Sequence, residues 1–258
     1  MTCSIKCCNT EFNNIEAVLI DVSGTLIDYE ELWLKQIGYL SQILAEDHST
    51  IQGELFRTRA MIMKSLGADP ETGNIDYTSV LFSSNTGEIK AILSNVLYLN
   101  KVNWISAIES VNKTLIKMEK EIDFRNCTRL FPDTVNLLDN LANKTKIIAY
   151  SKRSYENSRK ILGHHQVDTK IDKLYSMFDF NENGKSYLEC SFLSNICEDL
   201  NIKPENTVVI ADCIYDLSLK ENILFKRIII NKIGLDNYFI NKYHLKNNLS
   251  RLKEIKIN

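Results

Sequence analysis

Four short, largely apolar runs in the chain are typical of buried strands. They occupy residues 15–20 (IEAVLI), 146–150 (KIIAY), 207–211 (TVVIA) and 226–231 (KRIIIN). Each run is rich in Val and Ile and is apolar at successive positions instead of alternate ones. This pattern is expected of strands that are covered on both faces, as the strands of a parallel sheet are.

Segments with helical spacing lie between the second and third of these runs. RSYENSRKILG and LECSFLSNICEDLNI carry apolar residues three or four positions apart, and a loop-like stretch separates them. Alternation of strands and helices implies right-handed crossover connections and a parallel sheet with helices on both faces. The sequence therefore predicts an α/β fold.

The stretch from about residue 29 to residue 128 has a different pattern. Its apolar residues recur three or four positions apart, and it contains no comparable strand-like run. Four segments show this spacing: ELWLKQIGYLSQILAE, IQGELFRTRAMIMKSLG, GEIKAILSNVLYLN and NWISAIESVNKTLIKMEKEI. We therefore predict an all-helical domain over 29–128, inserted into a core domain that is formed by 1–28 and 129–258.

Composition narrows the possible partners. The 258 residues are 44% hydrophobic and 25% charged, with a net charge of −2 and no basic stripe, so a nucleic-acid partner is not indicated. No apolar run could span a bilayer, and residues 1–14 lack the apolar stretch of a signal peptide, so we expect a cytoplasmic protein with no membrane partner. The seven scattered cysteines favour reduced thiols over a disulfide framework or a zinc site. The oligomeric state is not predicted.

Side chains suited to chemistry follow three of the predicted strands. Asp21 follows the first run, Ser151 the second and Asp212 the third. Ligands of open α/β sheets bind beyond the carboxyl ends of the strands, so these groups are expected at one edge. Asp216 would share a face with Asp212 if a helix begins there. Clustered carboxylates repel one another unless a cation offsets their charge, and such oxygen ligands suit Mg²⁺.

The turn after the first strand, Ser-Gly-Thr, suits an anionic ligand. Gly24 permits a tight turn, and the backbone N–H groups that follow are available to an anion. Each carboxylate taken singly has an ordinary explanation, because Asp21 could form the turn and Asp212 could cap a helix.

Taken together, these segments resemble the motifs of the haloacid dehalogenase-like hydrolase superfamily. IDVSGTLID is similar to its first motif, DxDGT, while YSKRS and VVIADCIYDL are similar to the second and fourth motifs. The order and spacing of the motifs match across almost the whole chain. The residues that carry the likeness stand at strand ends: Asp21, Gly24, Thr25, Ser151, Asp212 and Asp216.

The resemblance implies an architecture and a reaction. It implies a Rossmannoid three-layer core and identifies 29–128 as a C1-type helical cap that closes over the strand edge and selects the substrate. Asp21 would attack an electrophile, usually phosphorus, to give an aspartyl intermediate that water hydrolyses. The implied cofactor is Mg²⁺, and the implied substrate is a small phosphorylated or phosphonylated metabolite. The implied metal-binding residues are Asp21, Ser23 through its backbone carbonyl, Asp212 and Asp216.

The resemblance also implies a set of anion contacts. Ser151 and a third-motif lysine would hold the phosphoryl oxygens. Lys185 is the candidate for that lysine, although the commonest family spacing would place it near Tyr187, and Lys173 is the fallback. The candidate substrate contacts in the loops are Gly24, Thr25, Lys152 and Arg153.

Ser23 is the departure from the family pattern. Phosphatases of the superfamily have Asp two residues after the nucleophile, as acid for the leaving oxygen and then as base for water, and a serine hydroxyl has no suitable pKa for either duty. Loss of such a group commonly removes about 10²–10⁴-fold of rate. The hypotheses are therefore an atypical Mg²⁺-dependent hydrolase, a weakened protein that binds a phosphorylated ligand or a partner without turnover, and a hydrolase of carbon–halogen bonds.

Overall fold

The chain forms two compact units, Met1–Asp28 with Arg129–Asn258, and Tyr29–Thr128. Of the predicted site residues, Lys185 and Asp216 lie outside the part of the chain that is described. The computed structural model describes residues 2–49, 51–76, 79–80, 86–177, 192–212, 225–230 and 247–258.

The strands described all belong to the first unit. In chain order they are β1 (Cys3–Cys7), β2 (Thr10–Ile15), β3 (Ala17–Asp21), β4 (Ile27–Asp28), β5 (Arg129–Leu130), β6 (Lys146–Ser151), β7 (Lys173–Ser176), β8 (Thr207–Ala211), β9 (Lys226–Ile230), β10 (Asn248–Leu249) and β11 (Lys256–Ile257).

The described helices are divided between the two units. Tyr29–Thr128 contains α1 (Glu30–His48), α2 (Gln52–Ser65), α3 (Thr86–Leu99) and α4 (Trp104–Glu121). The other unit contains α5 (Thr134–Leu141), α6 (Tyr155–His164) and α7 (Phe192–Leu200).

A parallel sheet forms the centre of the first unit. Its described strands have the order β10-β9-β8-β3-β6-β7, and every neighbouring pair is parallel. The middle strand β3 and its neighbour β8 are buried at all five positions, which is why their sequences are continuously apolar. This confirms the predicted α/β fold with a parallel sheet.

Apolar side chains of α7 pack on this sheet. Phe192, Leu193 and Ile196 join one buried cluster with residues of the central strands, among them Leu19, Ile148 and Val209. Burial of each such side chain stabilises the fold by about 1.5–3 kcal/mol, and that stabilisation fixes the strand ends that carry the predicted site.

A second, antiparallel sheet was not predicted. Its strands have the order β11-β1-β2, and Cys8, with φ of +52°, lies in the two-residue turn between β1 and β2. Cys3, Ile5 and Cys7 all point to its buried face. The two cysteines take the place of small apolar residues there, and burial raises the pKa of the Cys7 thiol to about 12.

The stretch after α6 is not entirely a loop, contrary to the prediction from sequence. It contains β7, whose residues are exposed or half-buried except for Ser176. A four-residue strand with this mixed burial lacks a continuous apolar run, so its sequence gave little strand signal.

The segment that leaves the first unit and the segment that returns to it pair with each other, as strands β4 and β5. Ile27 of β4 lies opposite Leu130 of β5, and Asp28 lies opposite Arg129 in this antiparallel pair. The carbonyl oxygen of Leu26 accepts hydrogen bonds from the backbone N–H of Phe131 at 3.1 Å and from Thr134 Oγ1 at 2.7 Å. These contacts anchor the turn that follows β3.

The second unit is a bundle of helices with its own core. Leu40 and Leu44 of α1, Leu97 of α3 and Val111 of α4 are buried in one cluster. Asn103 begins α4 by accepting a hydrogen bond from the backbone N–H of Ile105 at 3.0 Å. Within the described residues, no helix is long and apolar enough to cross a membrane.

Candidate active site

β3 delivers Asp21 to the carboxyl edge of the central sheet. Asp21 is 2% exposed and lies opposite Tyr150 of β6. The backbone N–H of Val22 still donates to the Tyr150 carbonyl oxygen at 2.9 Å, so pairing with β6 continues one residue past the strand. The carboxylate is therefore held in a rigid part of the sheet.

A tight turn follows β3, and its backbone contacts this carboxylate. The backbone N–H of Ser23 donates to Asp21 Oδ1 at 3.1 Å. The N–H of Gly24 donates to the Ile27 carbonyl at 2.8 Å, and the N–H of Ile27 donates to the Val22 carbonyl at 3.0 Å. The backbone of the turn thus orients one oxygen of Asp21.

Gly24 is required by the close approach of Asp212. Its φ is +78°, and a Cβ built on it would lie 1.7 Å from Asp212 Oδ2. Asp212 directly follows β8, the other neighbour of β3, in which Ile210 lies opposite Ile20. The two predicted carboxylates therefore lie at the carboxyl ends of adjacent strands, Asp21 as the last residue of β3 and Asp212 directly after β8.

Ser151 ends β6 on the other side of Asp21. It is fully buried, and its Oγ accepts a hydrogen bond from the backbone N–H of Arg153 at 3.1 Å. Ser176 Oγ in turn donates to the Arg153 carbonyl at 2.9 Å. These bonds fix the loop of Lys152 and Arg153, both half-buried, beside the strand end.

The residue after Gly24 in the turn, Thr25, is fully buried. It lies one residue before Leu26, whose carbonyl is anchored by Phe131 and Thr134. All the predicted site residues within the described chain therefore lie at strand ends or in adjoining turns of the first unit.

The sequence did not predict two residues whose hydrogen bonds fix the turns at the site, Ser176 and Thr134. Ser176 lies on a strand that was not predicted, so no signal pointed to it. Thr134 follows Phe131-Pro132-Asp133, a segment that marks the return to the core, but a lone threonine there gives no further signal.

Lys173, the fallback for the third-motif lysine, lies away from this edge. It begins β7 opposite Ile148, three residues before Ser176, which is opposite Ser151. At about 3.3 Å per residue its backbone lies about 10 Å from that end of the strand. Its ammonium pairs with Asp199, and the hydrogen bond to this carboxylate raises the pKa of Lys173. In this arrangement the ammonium group of Lys173 is directed to Asp199, and Lys173 stays the second candidate for the third-motif lysine after Lys185.

The described donor atoms at the strand edge fit a hard cation. Asp21 and Asp212 offer carboxylate oxygens and Ser23 a carbonyl oxygen, which are the ligand types that Mg²⁺ prefers. Among the residues described, no group of three or more His, Cys, Asp or Glu side chains is placed to hold a metal. Asp216, the remaining predicted ligand, is outside them.

Comparisons with other proteins point to one family. The sequence matches the family model described as a haloacid dehalogenase-like hydrolase over residues 15–219. A comparison with curated proteins gives no match.

Solved structures share the fold. One is a protein from Bacteroides fragilis described as a haloacid dehalogenase-like hydrolase, with 16% identity, a TM-score of 0.64, and 92% of this chain and 98% of that chain covered. Another, from Clostridium difficile and described as a phosphatase, has 14% identity, a TM-score of 0.61 and coverage of 93% and 96%. A third, a dehalogenase with an intermediate complex, has 15% identity, a TM-score of 0.56 and coverage of 93% and 95%. At these identities the likeness concerns the fold.

Proposed function

Because the chain belongs to the haloacid dehalogenase-like hydrolase family, matching it over residues 15–219, we propose that it hydrolyses a small phosphorylated or phosphonylated metabolite, with Asp21 as the nucleophile. The observation that carries this proposal is the placement of Asp21 and Asp212 at the carboxyl ends of adjacent parallel strands, with Gly24 packed against Asp212. A nucleophile must be held at a fixed position relative to the reacting atom, and the buried strand β3 provides that rigidity.

Mg²⁺ is the proposed cofactor. When bound, it would offset the negative charge of the carboxylates and of the phosphoryl oxygens. Its proposed ligands are Asp21, the carbonyl oxygen of Ser23, Asp212 and Asp216. The contact between Gly24 and Asp212 supports the assignment. The Asp212 carboxylate occupies the space that a side chain at position 24 would need.

The anion would be held by groups on both sides of Asp21. Ser151 stands at the end of β6, and its loop positions Lys152 and Arg153 through fixed backbone hydrogen bonds. Lys185 remains the proposed third-motif lysine. Cationic donors and a hydroxyl of this kind stabilise the charge that develops on a transferred group.

The helical unit 29–128 is proposed to be the family's cap, which selects the substrate. It is inserted between β4 and β5 of the first unit and forms a separate core. In this proposal the family's chemistry belongs to the first unit and substrate choice to the second.

Ser23 shapes the choice of substrate. Without an acid to protonate the leaving oxygen, the first step favours a leaving group that departs as a stable anion or carbanion. We therefore expect aryl phosphates, acyl phosphates, or phosphonates whose leaving carbanion is stabilised by a carbonyl group, to react much faster than simple alkyl phosphates.

The test compares p-nitrophenyl phosphate with glycerol phosphate on the purified chain with Mg²⁺. We expect the first turnover to be at least about 10²-fold faster with the aryl ester, since that is the lower range of what a general acid supplies. Ser23→Asp should narrow this gap. Asp21→Asn should abolish turnover, whereas the control Asp168→Asn, which changes an exposed aspartate of the same unit, should not.

Other outcomes would contradict the proposal. Halide release from 2-haloacids without Mg²⁺ would indicate the carbon–halogen reaction. Binding of phosphorylated ligands without any turnover would indicate a protein that has lost catalysis. Equal first-turnover rates for both esters in the wild-type chain would show that another group replaces the missing acid.

A further inference from the structure

Lys35 and Cys127 lie in contact inside the helical unit, although 92 positions separate them in the chain. Lys35 Nζ lies 3.0 Å from Cys127 Sγ and 3.0 Å from Glu31 Oε1. Cys127 Sγ also donates to the carbonyl oxygen of Asp123 at 3.2 Å. A sulfur nucleophile therefore lies beside an amine, and a carboxylate lies beside the same amine.

The two side chains differ in access to solvent. The side chain of Lys35, on α1, is 49% exposed, while Cys127, at the end of the short 3₁₀ helix Phe124–Cys127, is 3% exposed. Bulky reagents are thus kept from the sulfur, and a small oxidant is the reagent that suits it. The lysine in contact with it is positioned to react with any product formed there.

We propose that Lys35 and Cys127 are a redox modification site, at which hydrogen peroxide produces a covalent sulfur–nitrogen bridge. Cysteine sulfur is oxidised to a sulfenic acid, and a sulfenic acid can condense with a backbone nitrogen to give a sulfenamide. In this proposal the amine of Lys35 takes the part of that nitrogen. The contact at 3.0 Å places the lysine nitrogen where this second reaction needs it.

The bridge would form in two steps, an oxidation of the sulfur and a condensation with the amine. Peroxide transfers one oxygen atom to the Cys127 thiol, which becomes a sulfenic acid as the peroxide is reduced to water. The Lys35 ammonium passes one proton to Glu31, and the freed nitrogen lone pair attacks the sulfur. The S–O bond breaks as the S–N bond forms, and the departing hydroxyl leaves as water with a second proton from the nitrogen. The product is two hydrogen atoms lighter than the reduced protein.

The bridge would constrain the helical unit. It would join α1 to the segment that precedes β5, closing a loop of 92 positions. A cross-link over a long loop lowers the entropy of the unfolded chain, as a disulfide does. We therefore expect oxidation to raise the Tm of the protein, and a thiol reductant to reverse the effect.

Peptide mass spectrometry after peroxide treatment of the full chain tests the proposal. Trypsin cuts after Arg125 and Arg129, so the peptide 126–129 (NCTR) reports on Cys127. We expect this peptide linked to one in which Lys35 is uncut, with the loss of two hydrogen atoms. Dithiothreitol should release both peptides unchanged.

Lys35→Arg is the matched control variant. Arginine keeps the positive charge near Glu31, but its guanidinium cannot be deprotonated and so cannot act as the amine. The linked peptide and the rise in Tm should both disappear in this variant. Recovery of Cys127 from the oxidised wild-type chain as a free thiol, or as a sulfinic acid with Lys35 still cut by trypsin, would overturn the proposal.

Discussion

At Gly24 the turn after β3 comes so close to Asp212 that no side chain fits. Two separate features forbid another residue there: the backbone has a φ of +78°, and a Cβ would overlap the Asp212 carboxylate. Gly73 has only the first of these features: its φ is +73°, but nothing lies within 4 Å of a Cβ built on it. A comparison of the two glycines therefore distinguishes backbone strain from overlap with Asp212.

Gly24→Ala should therefore cost more than Gly73→Ala. The left-handed backbone alone costs an alanine about 1–2 kcal/mol in the free energy of unfolding. Gly24→Ala should lower the free energy of unfolding by about a further 1–3 kcal/mol, because the new methyl group overpacks against Asp212. The same displacement of Asp212 should reduce hydrolase activity. Urea unfolding of both variants measures the difference. Equal losses would mean that Asp212 does not lie against the turn.

His165 should make the first unit sensitive to acid. Burial, and then the neighbouring His164, lower the pKa of His165, so the folded state favours its neutral form. An unfolded histidine takes up a proton near pH 6.5, so this contribution to stability is present above about pH 6.5 and is lost as pH falls through and below that value.

Replacement of His165 tests this dependence. Between about pH 7 and about pH 5, the urea midpoint of His165→Gln should fall less than that of the wild-type chain, because the variant has no proton to take up there. Parallel pH profiles for the two proteins would show that His165 does not contribute.

Burial decided which strands the sequence could predict. β3 and β8 are buried at every position, so their sequences are unbroken apolar runs. β7 is mostly half-buried, and β1 is buried at alternate residues that include two cysteines, so neither has such a run. The site residues at the ends of β3, β6 and β8 were predictable for the same reason, whereas Ser176 on β7 was not.

The antiparallel sheet that the sequence did not predict should still be important for stability. Ile5 of β1 is fully buried between strands β11 and β2. Ile5→Ala should lower the free energy of unfolding by about 2–5 kcal/mol, the usual cost of such a cavity. Ile105→Ala, at a position 66% exposed, should change it by less than about 0.5 kcal/mol. A small effect at Ile5 would mean that this sheet is dispensable.

The two units of the chain have separate cores and different proposed roles. The first unit brings Asp21 and Asp212 together at the edge of a parallel sheet, and the second is a helical bundle inserted between β4 and β5. The strand-like apolar runs and the helical spacing of residues 29–128 predicted these two parts from the sequence. The substrate was not, because a fold of this kind is shared by proteins described as phosphatases and as dehalogenases.

The covalent intermediate proposed on Asp21 can be detected directly, because Ser23 replaces the usual base for water. Without that base the second step should be slow, and the intermediate should accumulate. The measurement is the mass of the protein after rapid acid quenching of a reaction with an aryl phosphate and Mg²⁺. We predict the added mass of one phosphoryl group, located on the peptide that contains Asp21 and absent from Asp21→Asn. Turnover that leaves Asp21 unmodified, or that persists in Asp21→Asn, would contradict the proposed mechanism.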